Sequence, residues 1–235
     1  MIDTFKSKQL YLFVVLQNRF NPTLKKLKQA ILQNRFGKIY FSHINVFWNR
    51  SQDYYDMDEW RGTKSLDGGS LMNQASHYVD LLYWLFGDIN ELNCFSGTLG
   101  RKIECEDTSS INFRFKNGVM ASLNVTTLTY NQNFEGSITI IGEKGTVKIS
   151  GKAVNEIQHW EFEDKEIEDD KIFETNYNIK NIYGNGHINY YENVISTLRG
   201  INKPEIDGEE GLKSLEIIDM SYRSHETNTN VKKKN

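Results

Sequence analysis

Apolar and polar residues alternate almost continuously from about residue 90 to residue 163. The alternation includes two hairpin patterns, FRFKNGVMASLNV with an Asn-Gly turn and ITIIGEKGTVKI with a short glycine-containing loop. Because successive side chains of a strand point to opposite faces, this pattern is typical of antiparallel strands that bury one face. The sequence therefore predicts an antiparallel sheet at the centre of the fold.

Helical patterns lie on both sides of this region. Asn21 and Pro22 suit the start of a helix, and Gly37 suits its end. The segment KIYFSHINVFW alternates as a further strand, and HINYYENVISTLRG is helical in pattern. Asp207 and Glu210 form a capping-box pattern at the start of a last helix, which is predicted to run to about residue 224. The fold class is α+β, with an open, mostly antiparallel sheet and helices on one face.

Composition narrows the class of protein. The 235 residues include 28 Lys and Arg against 31 Asp and Glu, and the net charge of −3 lacks the basic excess of a nucleic-acid binder. Cys94 and Cys105 have no metal-binding or redox spacing. The N-terminal segment has no apolar signal core, and no apolar run is long enough to span a bilayer. We expect a cytoplasmic protein without nucleic-acid or membrane partners.

Residues 67–87, DGGSLMNQASHYVDLLYWLFG, combine a polar stripe with an apolar helix. At about 100° per residue, Asn73, His77, Asp80 and Trp84 fall on one side, opposite the apolar face. An imidazole between an amide and a carboxylate suits a general acid or base near neutral pH, with hydrogen bonds fixing its orientation. The same spacing also fits an ordinary solvated helix face, and spacing alone favours that second interpretation.

A metal site is the weakest interpretation of the same stripe. Asn is a poor ligand for transition metals, and no second His lies in register with His77. We therefore predict no metal, and a metal-dependent hydrolase that uses His77 and Asp80 stays the last of the alternatives.

The stretch DGGSLMNQASHYVDLLYWLFG resembles the signature of the glucose-fructose oxidoreductase/inositol dehydrogenase (Gfo/Idh/MocA) family. VVLQNRFNP is similar to the family's segment that leaves the dinucleotide-binding domain, and the last two helical patterns are similar to its closing helices. Asn73, QNRFNP and the loop YYDMDEWRGT resemble the branch that oxidises UDP-N-acetylglucosaminuronate at the sugar 3-position.

This resemblance implies a fold, a cofactor and a set of roles. Such enzymes have a Rossmann domain that binds NAD, followed by an α+β domain whose open sheet forms the contact between subunits of a homo-oligomer. By resemblance, His77 would be the acid/base at the sugar hydroxyl, Asn73 a substrate partner, and Asp80 a support behind them. Gln17 and Arg19 would lie near the nicotinamide and the sugar, and the planar fork of Arg19 suits a diphosphate or carboxylate.

Other polar and aromatic residues indicate a function less clearly. Trp60 and Arg61 lie in a loop long enough to be functional, where a sugar contact and a structural role are both open. His43 fits sheet packing, and His187 fits the start of a helix better than a substrate contact.

Two motifs of the family are absent from these 235 residues. No GxGxxG follows a strand, and no Glu-Lys-Pro occurs, since Lys203-Pro204 precedes the last helix as part of a turn. Residues 10–16, LYLFVVL, form a continuous apolar run typical of a buried parallel strand. We therefore expect the Rossmann domain to be missing, with residues 1–18 as its last helix and strand.

The remaining boundaries follow from this division. Residues 19–225 would form the substrate-binding and oligomerisation domain, and residues 226–235 a disordered tail. The leading hypothesis is the substrate-binding part of an NAD(P)-dependent sugar dehydrogenase, with a separate Rossmann-domain chain as a possible partner. The alternative is a truncated or split, non-catalytic module that binds sugar or self-associates and cannot bind NAD alone.

Overall fold

The computed structural model of the chain describes residues 1–179 and 184–233. Its helices are α1 (Ile2–Ser7), α2 (Pro22–Leu32), α3 (Gln52–Asp56), α4 (Ser76–Phe86), α5 (Gly186–Leu198) and α6 (Gly208–Thr227). Its strands are β1 (Ile39–Phe47), β2 (Ile89–Gly97), β3 (Thr108–Phe115), β4 (Met120–Thr126), β5 (Glu135–Gly142), β6 (Gly145–Ser150), β7 (Glu156–Phe162) and β8 (Val231–Lys232). The other helical segments are the 3-10 helices Gln17–Phe20 and Ile167–Thr175 and the π-helical turn Ser70–Gln74.

The strands form one eight-stranded sheet in the order β7-β6-β5-β1-β4-β3-β2-β8. Every neighbouring pair is antiparallel except β1 and β4, which run parallel from Phe41 opposite Met120 to Phe47 opposite Thr126. Both predicted hairpins are present, and Gly118 takes the positive φ of 88° that the Asn-Gly turn requires. The prediction of a mostly antiparallel sheet is confirmed.

The core lies between one face of this sheet and the helices. Leu27 of α2, Leu82 of α4 and Ile218 of α6 are fully buried against the inward side chains of the strands. Those inward side chains are Ile44, Val46, Ile111, Phe113, Leu123, Val125, Ile138, Ile140, Val147 and Ile149. The other face of the sheet exposes polar side chains such as Ser110 and Asn112. The period-two pattern of the sequence thus corresponds to one buried and one open face.

The helix predicted within residues 67–87 is interrupted. The amide of Ala75 donates to the carbonyl of Ser70 at 2.9 Å, which is a π-type bond across five residues, and α4 begins only at Ser76. Single π turns within helices are common at functional sites. The predicted apolar face is nevertheless buried at Leu71, Ala75 and Tyr78.

Residues 10–16 differ from the predicted buried strand. Leu10, Tyr11 and Val15 are 59%, 50% and 46% exposed, and the segment is extended outside the sheet. Its one bridge within the described residues joins Phe13 to Asp207. A parallel strand needs a partner on each side to bury its apolar run, and the described chain supplies no second partner here.

Three helix and tail expectations are also corrected. Helix α2 ends at Leu32, before Gly37, because Asn34 takes the left-handed conformation that the sequence assigned to the glycine. Asp207 accepts from the amide of Glu210, but the Glu210 carboxylate binds Arg19 instead of completing a capping box. Residues 226–233 are not disordered: α6 continues to residue 227, and β8 pairs with β2.

Candidate active site

A cleft of about 340 Å³ lies where the start of α4 meets the end of β1 and the 3-10 turn at Gln17–Phe20. Its walls come from three stretches of the chain, residues 17–18, 48–54 and 73–77, which the fold brings together. The lining residues are Gln17, Asn18, Trp48, Asn49, Arg50, Ser51, Tyr54, Asn73, Gln74 and His77. Three predicted site residues, Gln17, Asn73 and His77, therefore share one cavity.

His77 projects into this cleft from the first turn of α4. Its Nδ1 atom is buried and has no hydrogen-bond partner among the described residues. Burial, and after it the neighbouring imidazole of His187, lowers the pKa of His77 to about 4. The imidazole is therefore neutral near pH 7, with one nitrogen able to accept a proton.

The expected hydrogen bonds from Asn73 and Asp80 to the imidazole are absent. Asn73 donates instead to the buried carboxylate of Asp67, and both carboxylate oxygens of Asp80 accept from Arg19. The π turn shifts Asn73 off the regular helical wheel on which that expectation rested. Asn73 and Asp80 therefore do not orient His77 in the way that the sequence indicated.

Asn73 is held in a defined orientation by Asp67. Because a carboxylate only accepts hydrogen bonds, it fixes the NH₂ end of the amide toward Asp67. The second oxygen of Asp67 accepts from the amide of Gly62 at 2.7 Å. The carbonyl oxygen of Asn73 then accepts from Gln74 at 3.3 Å, on the side of the cleft.

A second carboxylate fixes the turn that precedes the histidine helix. Glu106 accepts from the hydroxyl of Ser70 at 3.2 Å, from the amide of Leu71 at 3.0 Å and from the hydroxyl of Tyr222 at 3.1 Å. Burial raises the pKa of Glu106, which opposes its ionisation, while these donors favour it. No local pattern indicates this role, because Glu106 lies 35 residues from Leu71 in the turn that it holds.

Arg19 does not lie in the cleft. It is 5% exposed, and its Nε and Nη2 atoms donate to the two oxygens of Asp80 at 2.8 and 2.6 Å. Its Nη1 atom donates to Glu210 at 2.7 Å. The predicted role of Arg19 in substrate binding is not supported by this geometry, since the side chain is buried and each of its three nitrogens donates within the protein.

The loop that carries Trp60 and Arg61 also lies outside the cleft lining. Arg61 pairs with Asp58 at 2.8 Å and stacks on Tyr54, 4.2 Å from the ring centroid, while Trp60 is 40% exposed. The geometry favours the structural interpretation of Arg61. The loop does reach the cleft indirectly, because Tyr54 lines it.

Arg50 is a cleft residue that the sequence did not single out. It follows the buried Trp48 just beyond the end of β1, and its guanidinium carbon lies 5.5 Å from the Trp48 ring centroid and 5.4 Å from that of Tyr54. The aromatic residues around it were a possible signal, since arginine stacks on such rings.

Residues 1–179 and 184–233 contain no group of three or more His, Cys, Asp or Glu side chains that could hold a metal ion. Nor does any helix among them have the length and apolarity to cross a bilayer.

An open sheet with helices on one face, and a cleft lined by His77, define a class of α/β domain found in oxidoreductases. Residues 28–232 match the family model of the oxidoreductase family, C-terminal alpha/beta domain (GFO_IDH_MocA_C). The chain belongs to this family.

Solved structures extend the comparison to the whole described fold. The WlbA dehydrogenase of Bordetella pertussis, solved with NADH and UDP-GlcNAcA, is 50% identical with a TM-score of 0.95; the match covers 100% of this chain and 68% of that one. WlbA from Chromobacterium violaceum, with the same two ligands, is 49% identical with a TM-score of 0.92, over 99% of this chain and 66% of that one. The predicted likeness to this branch is confirmed.

A more distant curated relative is similar in sequence. Levoglucosan dehydrogenase of Pseudarthrobacter phenanthrenivorans is 23% identical over 182 residues, which are 67% of this chain and 47% of that protein. The chain thus spans about half the length of this curated relative.

Proposed function

We propose that this chain forms the substrate-binding part of an NAD-dependent dehydrogenase that oxidises a ring hydroxyl, at C3, of a nucleotide-activated sugar such as UDP-N-acetylglucosaminuronate. The observation that carries the proposal is the cleft itself. It places a neutral His77 with an unpartnered buried nitrogen beside the oriented amide of Asn73. The two WlbA relatives, solved with NADH and UDP-GlcNAcA, support this choice of cofactor and substrate.

The chemistry assigned to His77 is proton transfer. When bound, NAD supplies an acceptor for the hydride that leaves the carbinol carbon. The neutral imidazole of His77 takes the hydroxyl proton as the ketone forms, so that one alcohol yields one ketone, one NADH and one proton. Asn73 holds the sugar through its amide, in an orientation that Asp67 fixes.

This chain offers a contact for the nicotinamide end of the cofactor. Gln17 is 2% exposed and lines the cleft beside His77, where an amide side chain can contact a nicotinamide carboxamide. The 235 residues contain no GxGxxG loop for the pyrophosphate. We propose that a nucleotide-binding domain, of which residues 1–18 are the last part, or a separate chain holds that end.

Two experiments test the proposal. The chain, joined to the nucleotide-binding domain of the Bordetella relative, is assayed for NADH formation with UDP-GlcNAcA and with its 3-deoxy analogue. We expect NADH with the first and none with the second, although calorimetry should show that both bind. Binding of both sugars without NADH formation would instead support the non-catalytic alternative.

Self-association belongs to the same proposal. The open face of the sheet, with exposed Ser110, Asn112 and Arg114, is proposed as the contact between subunits. Sedimentation velocity of the chain should show a species larger than a 27.4 kDa monomer. A monomer at all concentrations tested would count against this contact.

A further inference from the structure

The cleft lining carries a positive charge that no carboxylate in the lining balances. Of its ten lining residues, Arg50 is the one that carries a fixed charge, and none is a carboxylate. Arginine stays protonated at any pH that a protein tolerates. A ligand that enters this cleft therefore meets a positive charge without a protein counter-charge in the lining.

The neighbouring arginines already have anionic partners. Arg19 binds Asp80 and Glu210, and Arg61 pairs with Asp58. Arg50, in contrast, forms no ion pair with any residue in ranges 1–179 and 184–233. Among the described residues its side chain donates only through Nη1, to the carbonyl of Asn49 at 2.7 Å and to Oδ1 of Asn133 at 3.2 Å.

Hydrogen bonds hold the backbone of Arg50 in place. Its amide donates to the carbonyl of Thr127 at 2.8 Å, and its carbonyl accepts from Nε of Arg101 at 2.6 Å. The Arg101 loop is fixed in turn by the fully buried Asp107, which accepts from the amides of Leu99, Gly100 and Arg101. The rings of Trp48 and Tyr54 flank the guanidinium. Such a fixed fork loses little conformational entropy when it binds a ligand.

We propose that Arg50 selects an anionic substrate for this cleft by binding a pair of anionic oxygens with Nε and Nη2, which donate to no acceptor among the described residues. The inference rests on the proposed function and assigns its anion recognition to Arg50 in place of Arg19. Two parts of a nucleotide-activated sugar acid carry this chemistry, the uronate carboxylate and the diphosphate. A guanidinium matches either one with two parallel hydrogen bonds.

Calorimetric titration of the full chain tests the assignment. The variants are Arg50→Gln, Arg50→Lys and, as a matched loss of charge, Arg223→Gln, whose parent side chain is 48% exposed and pairs with Asp219. The ligands are UDP-GlcNAcA, UDP-GlcNAc, which lacks the carboxylate, and free N-acetylglucosaminuronate, which lacks the diphosphate. Thermal unfolding of each variant controls for loss of fold.

We expect Arg50→Gln to weaken UDP-GlcNAcA binding by about 10- to 100-fold, as for the loss of charged hydrogen bonds. Arg50→Lys should recover part of this loss, because a point charge replaces the fork, and Arg223→Gln should bind like the wild type. If the carboxylate is the partner, the loss disappears with UDP-GlcNAc; if the diphosphate is the partner, it disappears with the free sugar acid.

Two results overturn the inference in different ways. Wild-type binding of UDP-GlcNAcA that is unchanged in a folded Arg50→Gln variant rejects the role of Arg50 and leaves the proposed function intact. A wild-type chain that binds none of the three ligands rejects the proposed function and this inference with it.

Discussion

Arg19 holds the carboxylate of Asp80 with two parallel hydrogen bonds of 2.8 and 2.6 Å, and both side chains are at least 95% buried. Asp80 lies one turn after His77 on α4, while Arg19 lies in the 3-10 turn that also carries Gln17. The third bond of Arg19, to Glu210, adds the start of α6. This ion pair therefore ties the two walls of the cleft to each other.

Replacing Arg19 by Met should lower the free energy of unfolding by about 3 to 5 kcal/mol, because Asp80 would remain as a buried charge without a partner. The double variant Arg19→Met/Asp80→Leu should recover most of this loss. Urea unfolding measures both. Loss of sugar affinity at unchanged stability would show instead that Arg19 contacts the substrate, as the sequence suggested.

Gly69 should be far less tolerant of alanine than Gly87. Both have φ and ψ values suited to glycine, 97° and −177° for Gly69 and 81° and −149° for Gly87. A Cβ on Gly69 would overlap the carboxylate of Glu106, whereas a Cβ on Gly87 would meet no atom within 4 Å. Gly87→Ala should cost about 1 to 3 kcal/mol for strain alone, and Gly69→Ala clearly more, as measured by thermal unfolding. Equal costs would mean that Glu106 does not confine the turn.

Asn73 should not tolerate Asp while Asp67 is present. Asn73→Asp would place two carboxylates in contact and remove the hydrogen bond between residues 67 and 73, with an expected loss of about 1 to 3 kcal/mol. The double variant Asn73→Asp/Asp67→Asn reverses donor and acceptor and should restore stability. Urea unfolding measures the stability of the two variants. A double variant as unstable as the single one would contradict the pairing of residues 67 and 73.

The free energy of unfolding should fall as pH is lowered from about 6.5 toward about 4. The folded protein keeps His77 neutral, with a pKa of about 4, while the unfolded chain protonates it near its ordinary value of about 6.5. The unfolded state therefore binds more protons across this window, and the loss amounts to about 3 kcal/mol.

Urea unfolding at a series of pH values measures this slope. The His77→Gln variant should have a flatter slope than the wild type, while His159→Gln, which changes an exposed histidine on β7, serves as the control. An identical slope in His77→Gln and wild type would show that the folded state protonates His77 as readily as the unfolded chain does.

Much of the fold was predictable because its signals are local. The alternation of β2 to β7, the Asn-Gly turn and the Asp207 cap each depend on residues within a few positions of one another. The run LYLFVVL misled because an apolar extended segment reads the same whether or not partner strands lie beside it. The π turn at Ser70–Gln74 depends on the carboxylate of Glu106, which lies in the loop between β2 and β3. Periodicity within the turn does not show this contact.

The candidate site was predicted in part, for the same reason. His77, Asn73 and Gln17 lie in the cleft, as the sequence and its resemblance indicated. The role assigned to Arg19 depended on a side chain 61 residues away, Asp80, whose two oxygens take its donors. Arg50 stood out only after the fold placed Trp48 and Tyr54 around it.

We propose that His77 transfers the proton in sugar oxidation. The most direct measurement is the steady-state rate of NADH formation from UDP-GlcNAcA by the chain joined to a nucleotide-binding domain, for wild type and His77→Gln. Gln keeps a polar amide in the cleft but cannot take the proton, so kcat should fall roughly 10²- to 10⁴-fold with KM nearly unchanged. A His77→Gln enzyme that turns over at the wild-type rate would contradict the account.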